Sequence, residues 1–222
     1  MKSLFPDALL SRLQKTRIIA VLVVEDPRKA VHVAKALLRG GVDAMELTLR
    51  TPSALQCMRA VKLEVPEMIV GAGTILFPHQ VSEVLEAGAA FGVAPGTNPV
   101  VIRCATQQRL PFAPGVVTPS DIDAAVQCGC RELKFFPAEP SGGLPMLASI
   151  KAPYAHLGLK YIPLGGVTLG NLQCYLSDPD VLAVGGSWLA KKDAIDAERW
   201  DEIVSNAQHA RDIAAAVCLS PM

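Results

Sequence analysis

Ile18-Ile19-Ala20-Val21-Leu22-Val23-Val24 is an unbroken apolar run, and Glu25-Asp26-Pro27 follows it directly. The run is short and rich in β-branched residues, the pattern of a strand buried on both faces of a parallel sheet. Asp26 before Pro27 supplies a helix start. Its side chain can accept a free N–H of the first turn, and the proline ring fixes φ where no N–H is needed. A helix is predicted over residues 27–39, where Gly40-Gly41 stops it.

The same strand–helix unit recurs along the chain. Upstream, residues 4–14 read as a short amphipathic helix with Leu9, Leu10 and Leu13 on one side. Downstream, strands are predicted at 44–49, 69–73, 91–94, 111–116, 133–136, 159–164 and 181–184. Thr51-Pro52, Asn98-Pro99 and Thr118-Pro119 open helices between them, Thr168 opens another, a further helix covers 78–86, and a long one covers 197–217. Eight strands alternating with helices predict one α/β domain over residues 1–222, a (β/α)8 TIM barrel with a short N-terminal helix. The competing architecture, an open doubly wound sheet, is expected to carry one dominant Gly-rich turn after its first strand. Here the glycines follow the third, fourth, fifth, seventh and eighth strands instead.

Half of the 222 residues are hydrophobic and only 19% are charged, so a large core can be buried. Lys+Arg and Asp+Glu both number 21, which argues against a nucleic-acid binder or a polybasic membrane anchor. With no leader-like segment and no apolar run of bilayer length, a cytoplasmic protein is expected. Cys57, Cys104, Cys128, Cys130, Cys174 and Cys218 are scattered and form no Cys-x-x-Cys pair, which reads as reduced cysteine usage. Cys128-Gly129-Cys130 reads as a helix end. His32, His79, His156 and His209 make no ligand pair at helical spacing, so neither a metal nor another cofactor is expected.

The chemistry centres on Arg131-Glu132-Leu133-Lys134-Phe135-Phe136-Pro137-Ala138-Glu139, a short strand running into a loop. Desolvation disfavours a charged ammonium, so a lysine among apolar neighbours can offer a neutral, nucleophilic amine. Schiff-base formation with a carbonyl needs such an amine; the plain alternative is a lysine that snorkels from the strand end. In a barrel, reacting groups come from the C-terminal ends of several strands. On strand two, Glu46, Thr48 and Arg50 share the inward face, while Met45, Leu47 and Leu49 face the helices. Glu46 can move protons on and off carbon, Arg50 offers a planar fork for a carboxylate, and Thr74 adds a hydrogen bond. Pro95 ends strand four, and Phe136 matches the parity of Lys134. Gly165-Gly166 and Gly185-Gly186-Ser187 can bring backbone N–H groups to a phosphate after strands seven and eight. The predicted ligand is a small 2-keto acid with a phosphate at its far end. Two plain readings stand beside this one: Glu46 and Arg50 as a buried ion pair, and the glycine pairs as tight turns. Thr48 reads as a packing or hydrogen-bonding residue. Glu132 should point inward near the barrel bottom, with no assigned role.

Glu46-Leu47-Thr48-Leu49-Arg50, Val70-Gly71-Ala72-Gly73-Thr74, Lys134-Phe135-Phe136-Pro137-Ala138-Glu139 and Gly185-Gly186-Ser187-Trp188 together resemble the 2-keto-3-deoxy-6-phosphogluconate (KDPG) and 4-hydroxy-2-oxoglutarate aldolase family. The resemblance implies a metal-independent class I aldolase of carbohydrate metabolism, in the Entner-Doudoroff route, and a homotrimer. It implies Lys134 as Schiff-base lysine and Glu46 as proton carrier. It places the pyruvate carboxylate on Arg50 and Thr74, the aromatic wall on Phe136, and the phosphate on Gly165, Gly166, Gly186 and Ser187. The family's Pro-Thr-Gly-Gly after strand seven is Pro163-Leu164-Gly165-Gly166 here, and galactonate-type relatives carry an apolar residue at that point. Leu164 thus becomes the specificity position, because the family threonine contacts a substrate hydroxyl. Ala94 stands where the family often has serine. The competing functions are a galactonate-type aldolase, a sugar-phosphate isomerase or epimerase on the same barrel, and a silent phosphate binder.

Overall fold

The structure, a computed structural model, describes residues 3–219 and the side chains of residues 3–217, so the Cys218 thiol lies outside the described residues. Strand β1 (Ile18–Leu22) ends two residues earlier than expected, and α2 (Pro27–Arg39) starts where the Asp26-Pro27 signal puts it. The Asp26 carboxylate accepts the Arg28 N–H at 2.8 Å. Gly40 ends the helix in close contact with the last helix: a Cβ there would stand 2.5 Å from Ala207 Cβ.

The chain then lays down β2 (Ala44–Thr48), α3 (Ala54–Glu64), β3 (Ile69–Gly73), α4 (Pro78–Glu86), β4 (Phe91–Val93) and α5 (Pro99–Gln107). After these come β5 (Phe112–Ala113), β6 (Gly115–Val116), α6 (Pro119–Gln127) and β7 (Glu132–Phe135). The remainder is α7 (Gly143–Lys151), β8 (Lys160–Pro163), α8 (Leu169–Leu176), β9 (Val184–Gly186), α9 (Lys192–Asp196) and α10 (Trp200–Leu219). The N-terminal helix, α1, covers Asp7–Thr16. Asn98 and Thr118 cap as expected, accepting from Val100 N and Asp121 N. Thr51-Pro52 does not open α3. The Thr51 and Ser53 hydroxyls instead donate to Val24 O (3.2 Å) and Glu25 O (2.6 Å), tying this turn to the end of β1.

Three further expectations are corrected. The fifth strand breaks at Pro114, which has no N–H to give a ladder; β5 pairs with β4, and β6 pairs with β7. The last strand lies at Val184–Gly186, and Val181 keeps a lone bridge to Tyr161. The last helix starts at Trp200, after the separate α9; α7 and two 3-10 segments, Glu139–Ser141 and Ala152–Leu157, fill the connection after β7.

All strand pairs are parallel. One sheet runs β5-β4-β3-β2-β1-β9 and the other β6-β7-β8. They meet at Pro114, and again through single bridges, Tyr161 to Val181 and Leu164 to Gly185. The result is an α/β fold with a curled parallel sheet. Side-chain parity divides its core into two layers. Ile18, Ala20, Leu22, Met45, Leu47, Leu133 and Phe135 pack outward in the layer with the helices. Ile19, Ala44, Ile69, Phe91 and Ile162 pack inside the curl, joined by Phe5 and by Leu13 of α1. The N-terminal segment thereby plugs one end of the sheet. Functional residues are left to the other end, where the strands finish.

Candidate active site

The inward face of β2 carries Glu46, and that of β7 carries Lys134; both are buried, at 2% and 5% exposure. Their strands are not neighbours, yet Lys134 Nζ lies 3.3 Å from Glu46 Oε1. Space for the carboxylate comes from Gly73, opposite Thr48 on the adjacent β3. A Cβ on Gly73 would stand 1.9 Å from Glu46 Oε1, so only glycine leaves the room. The Phe136 ring centre lies 5.1 Å from Lys134 Nζ, within reach of a cation–π contact.

These groups face a cavity of about 220 Å³ at the C-terminal ends of the strands. It gathers Glu46, Arg50, Thr74, Pro95, Lys134 and Phe136, and with them Leu164, Gly165, Gly186 and Ser187. Of the residues predicted from sequence, Gly166 alone does not line it. Gly166 has φ +83°, and a Cβ there would come within 2.5 Å of Glu139 Cβ, so its glycine serves a close approach behind the turn. Val21, Val23, Thr48 and Gly185 also line the cavity. Val21 and Val23 were legible by parity with inward Ile19. Thr48 plays the expected hydrogen-bonding part, donating to Leu22 O at 3.2 Å.

Arg50 is not the partner of Glu46. It sits exposed just past β2, and among the described residues its guanidinium has no hydrogen bond or ion pair. A free planar fork at the mouth of a cavity is poised for a carboxylate. Thr74 follows Gly73 with φ +62°, a left-handed conformation that a β-branched residue adopts at a cost of about 1–3 kcal/mol. That strained turn sets Thr74 at the cavity wall. Leu164 packs on Gly185, where a Cβ would meet Leu164 Cγ at 2.5 Å. Pro95 and Ser187 are exposed at the rim.

Glu132 lies away from the cavity. It is buried at the opposite end of β7, and its carboxylate accepts the Ser3 hydroxyl at 2.7 Å. Burial is the largest influence on it and holds its carboxyl above the ordinary value of 4.5. It therefore ties β7 to the N-terminal segment at the plugged end.

An amine beside a carboxylate, both withdrawn from water at the floor of an open cavity, is suited to condense with a ketone and move the protons that follow. Fold and site together define a Schiff-base lyase on an α/β scaffold. Residues 9–206 match the KDPG and KHG aldolase family, and the chain belongs to that family. It is 42% identical over 193 residues to the KHG/KDPG aldolase of Escherichia coli strain K12, covering 87% of this chain and 90% of that one. Among solved structures it is similar to the KDPG aldolase of Legionella pneumophila, with TM-score 0.86, 32% identity, and coverage of 90% of this chain and 97% of that one. That crystal structure holds pyruvate captured as a covalent carbinolamine. It is also similar to the Zymomonas mobilis ZM4 enzyme with 3-phosphoglycerate, with TM-score 0.82, 36% identity, and coverage of 90% and 94%. No helix among the described residues is long and apolar enough to cross a membrane.

Proposed function

We propose that this aldolase cleaves 2-keto-3-deoxy-6-phosphogluconate to pyruvate and glyceraldehyde 3-phosphate through a Schiff base on Lys134, and that it also accepts 4-hydroxy-2-oxoglutarate. The observation that carries the reading is the buried 3.3 Å contact between Lys134 Nζ and Glu46 Oε1 at the cavity floor. The pair is neutral overall whether the proton sits on the amine or the carboxylate, so Glu46 can free the amine without leaving net charge in the interior. The amine adds to the C2 ketone and water leaves, giving an iminium. The iminium draws electrons from the C3–C4 bond as the C4 hydroxyl loses its proton, and glyceraldehyde 3-phosphate departs. The remaining enamine takes a proton at C3, and hydrolysis returns pyruvate and the free amine. Glu46 carries these protons. Arg50 and Thr74 hold the carboxylate, while Phe136 and Pro95 wall the pyruvyl group. The backbone around Gly165, Gly186 and Ser187 receives the phosphate, and Gly166 shapes the turn behind it.

A second reading, an aldolase for the galactonate isomer, is favoured by Leu164. It is 4% exposed, lines the cavity, and offers no donor to a C4 hydroxyl. Relative kcat/KM on the two isomers separates the readings.

We infer further that residues 1–222 form one domain whose strand positions close into a (β/α)8 barrel; the two bridges between β8 and the β9 side support this. A homotrimer in the cytoplasm is the assembly inferred. Leu76, Phe77 and Val100, exposed at the starts of the neighbouring α4 and α5, support burial against another copy, and free Cys57, Cys104, Cys128, Cys130 and Cys174 suit a reducing compartment.

The test is borohydride reduction with pyruvate and a chelator, followed by peptide mapping. A reduced pyruvyl adduct on Lys134 is expected; a folded protein that gives no adduct would overturn the Schiff-base reading.

A further inference from the structure

We propose that Glu139 and Tyr175 are positioning residues that fix the Gly165-Gly166 turn relative to Lys134, and so set the grip on the phosphate end of the substrate. The inference rests on the aldolase reading. Glu139 stands five residues beyond Lys134, at the start of the 3-10 turn Glu139–Ser141. The loop after β7 and the loop after β8 extend the sheet pairing there: Ala138 N donates to Leu164 O at 2.7 Å, and Glu139 N to Gly165 O at 2.9 Å. Glu139 Cβ is packed so closely behind the turn that Gly166 has no room for a side chain. The Glu139 carboxylate then accepts a hydrogen bond from the Tyr175 hydroxyl on α8.

This bond closes a ring. Helix α8 begins just after the turn, and Asn171 near its start donates from Nδ2 to Gly166 O at 3.4 Å while accepting from Thr168 N at 2.8 Å. The path runs from the Lys134 strand through Glu139 to the turn, along α8 to Tyr175, and back to Glu139. Both glycines of the turn have positive φ, +93° and +83°, so their backbone tolerates many conformations. Something else must select one, and the ring does. Tyr175 is 1% exposed; burial, then the bond to Glu139, push its hydroxyl up, so it remains a donor. It also holds the Glu139 carboxylate in place behind the turn.

Tyr175→Phe and Glu139→Ala remove the link and keep the backbone bond from Glu139 N. Glu139→Gln retains an acceptor for the Tyr175 hydroxyl. For the first two, the KM for KDPG should rise about fivefold, the worth of one hydrogen bond, with kcat within about twofold of wild type. The KM for 4-hydroxy-2-oxoglutarate, which has no phosphate, and the methyl proton exchange of pyruvate should stay unchanged. Glu139→Gln should restore the KDPG KM. An unmoved KDPG KM in Tyr175→Phe, or an equal rise for both substrates, would overturn the inference. So would a joint fall of kcat and exchange that tracks melting temperature. Failure of borohydride trapping in the wild-type enzyme would instead remove the aldolase reading, so the two failures are distinct.

Discussion

Gly73→Ala is the substitution that tests the geometry of the site most directly. The added methyl would stand 1.9 Å from Glu46 Oε1, 2.7 Å from Cδ and 2.8 Å from Cγ. Contacts below 3.4 Å are already tight for a Cβ, so the carboxylate must withdraw by about 1.5 Å to accommodate it. Glu46 Oε1 is the same atom that meets Lys134 Nζ at 3.3 Å, so a withdrawal of that size breaks the contact or misdirects it. A misplacement of about 1 Å in a reacting group can cost about 10²-fold in rate, so kcat is expected to fall about a hundredfold. The overpacking itself should cost about 1–3 kcal/mol of stability. Gly71→Ala serves as the control. Its methyl would strike the Phe91 ring at 2.2 Å, two residues further down the same strand, in the inner core below the site. It should cost similar stability but leave kcat per folded molecule nearly intact. The assay is pyruvate release and methyl proton exchange, each normalised to the folded fraction from thermal melts. Gly73→Ala with wild-type kcat and exchange would refute the placement of Glu46 as proton carrier. Equal losses of kcat in both variants would refute the claim that the effect is local.

Arg50→Ala should raise KM for pyruvate-derived substrates about 10- to 100-fold while leaving the fold unchanged, since among the described residues the guanidinium has no partner to lose; an unchanged KM would remove it from the carboxylate site. Glu132 gives a pH prediction. Its folded carboxyl is raised by burial, so the folded state holds the proton more tightly than the unfolded one. The stability this contributes is full below about 4.5 and is lost as pH rises through the folded value. Glu132→Gln should flatten that decline, so its melting temperature gains on wild type from pH 5 to pH 8; a constant difference across that range would sink the account.

The alternation of strands and helices was legible because its punctuation is local. Asp26-Pro27, Asn98-Pro99 and Thr118-Pro119 each sit where an exposed helix start needs an acceptor and a fixed φ, and each starts a helix. Parity was legible too. With a period of two, Glu46 and Lys134 had to share the inward surface wherever the sheet curled. Distance was not. The pairing of Glu46 with Lys134 spans 88 positions, whereas Arg50, four residues away on the same face, was the nearer candidate in sequence. Only the curvature of the sheet decides between them. The break at Pro114 was missed because a strand pattern does not show that its two halves face different neighbours. The dependence of the Glu46 rotamer on Gly73 could be read only as a run of small residues until the two strands were set side by side. Ser3 and Phe5, which close the end below Glu132, carry no local signal of that role, because the contacts that define it, Ser3 to Glu132 and Phe5 to Phe91, each span more than eighty residues.

The buried pair also makes a stability argument about why it is there. Withdrawing an ammonium and a carboxylate from water costs several kcal/mol per ion, and their attraction at 3.3 Å offsets much of this without making the pair better than an apolar filling. A core chosen for stability alone would not keep it, so its presence at the floor of the cavity marks a site retained for chemistry. The consequence is a coupling that can be measured. Lys134→Met should abolish turnover, and it leaves Glu46 at 2% exposure with no counter-charge, a loss of about 3–5 kcal/mol relieved only by taking up a proton. Glu46→Gln strands the lysine in the same way. The double variant Lys134→Met/Glu46→Gln contains no buried charge at this position and should be more stable than Lys134→Met alone, although it is equally inactive. Denaturant unfolding of the four proteins closes the cycle. A coupling energy of more than about 1 kcal/mol in the pair's favour is expected at neutral pH. Additive effects would mean that the two groups do not sense each other's charge, and the proton transfer assigned to them would lose its basis.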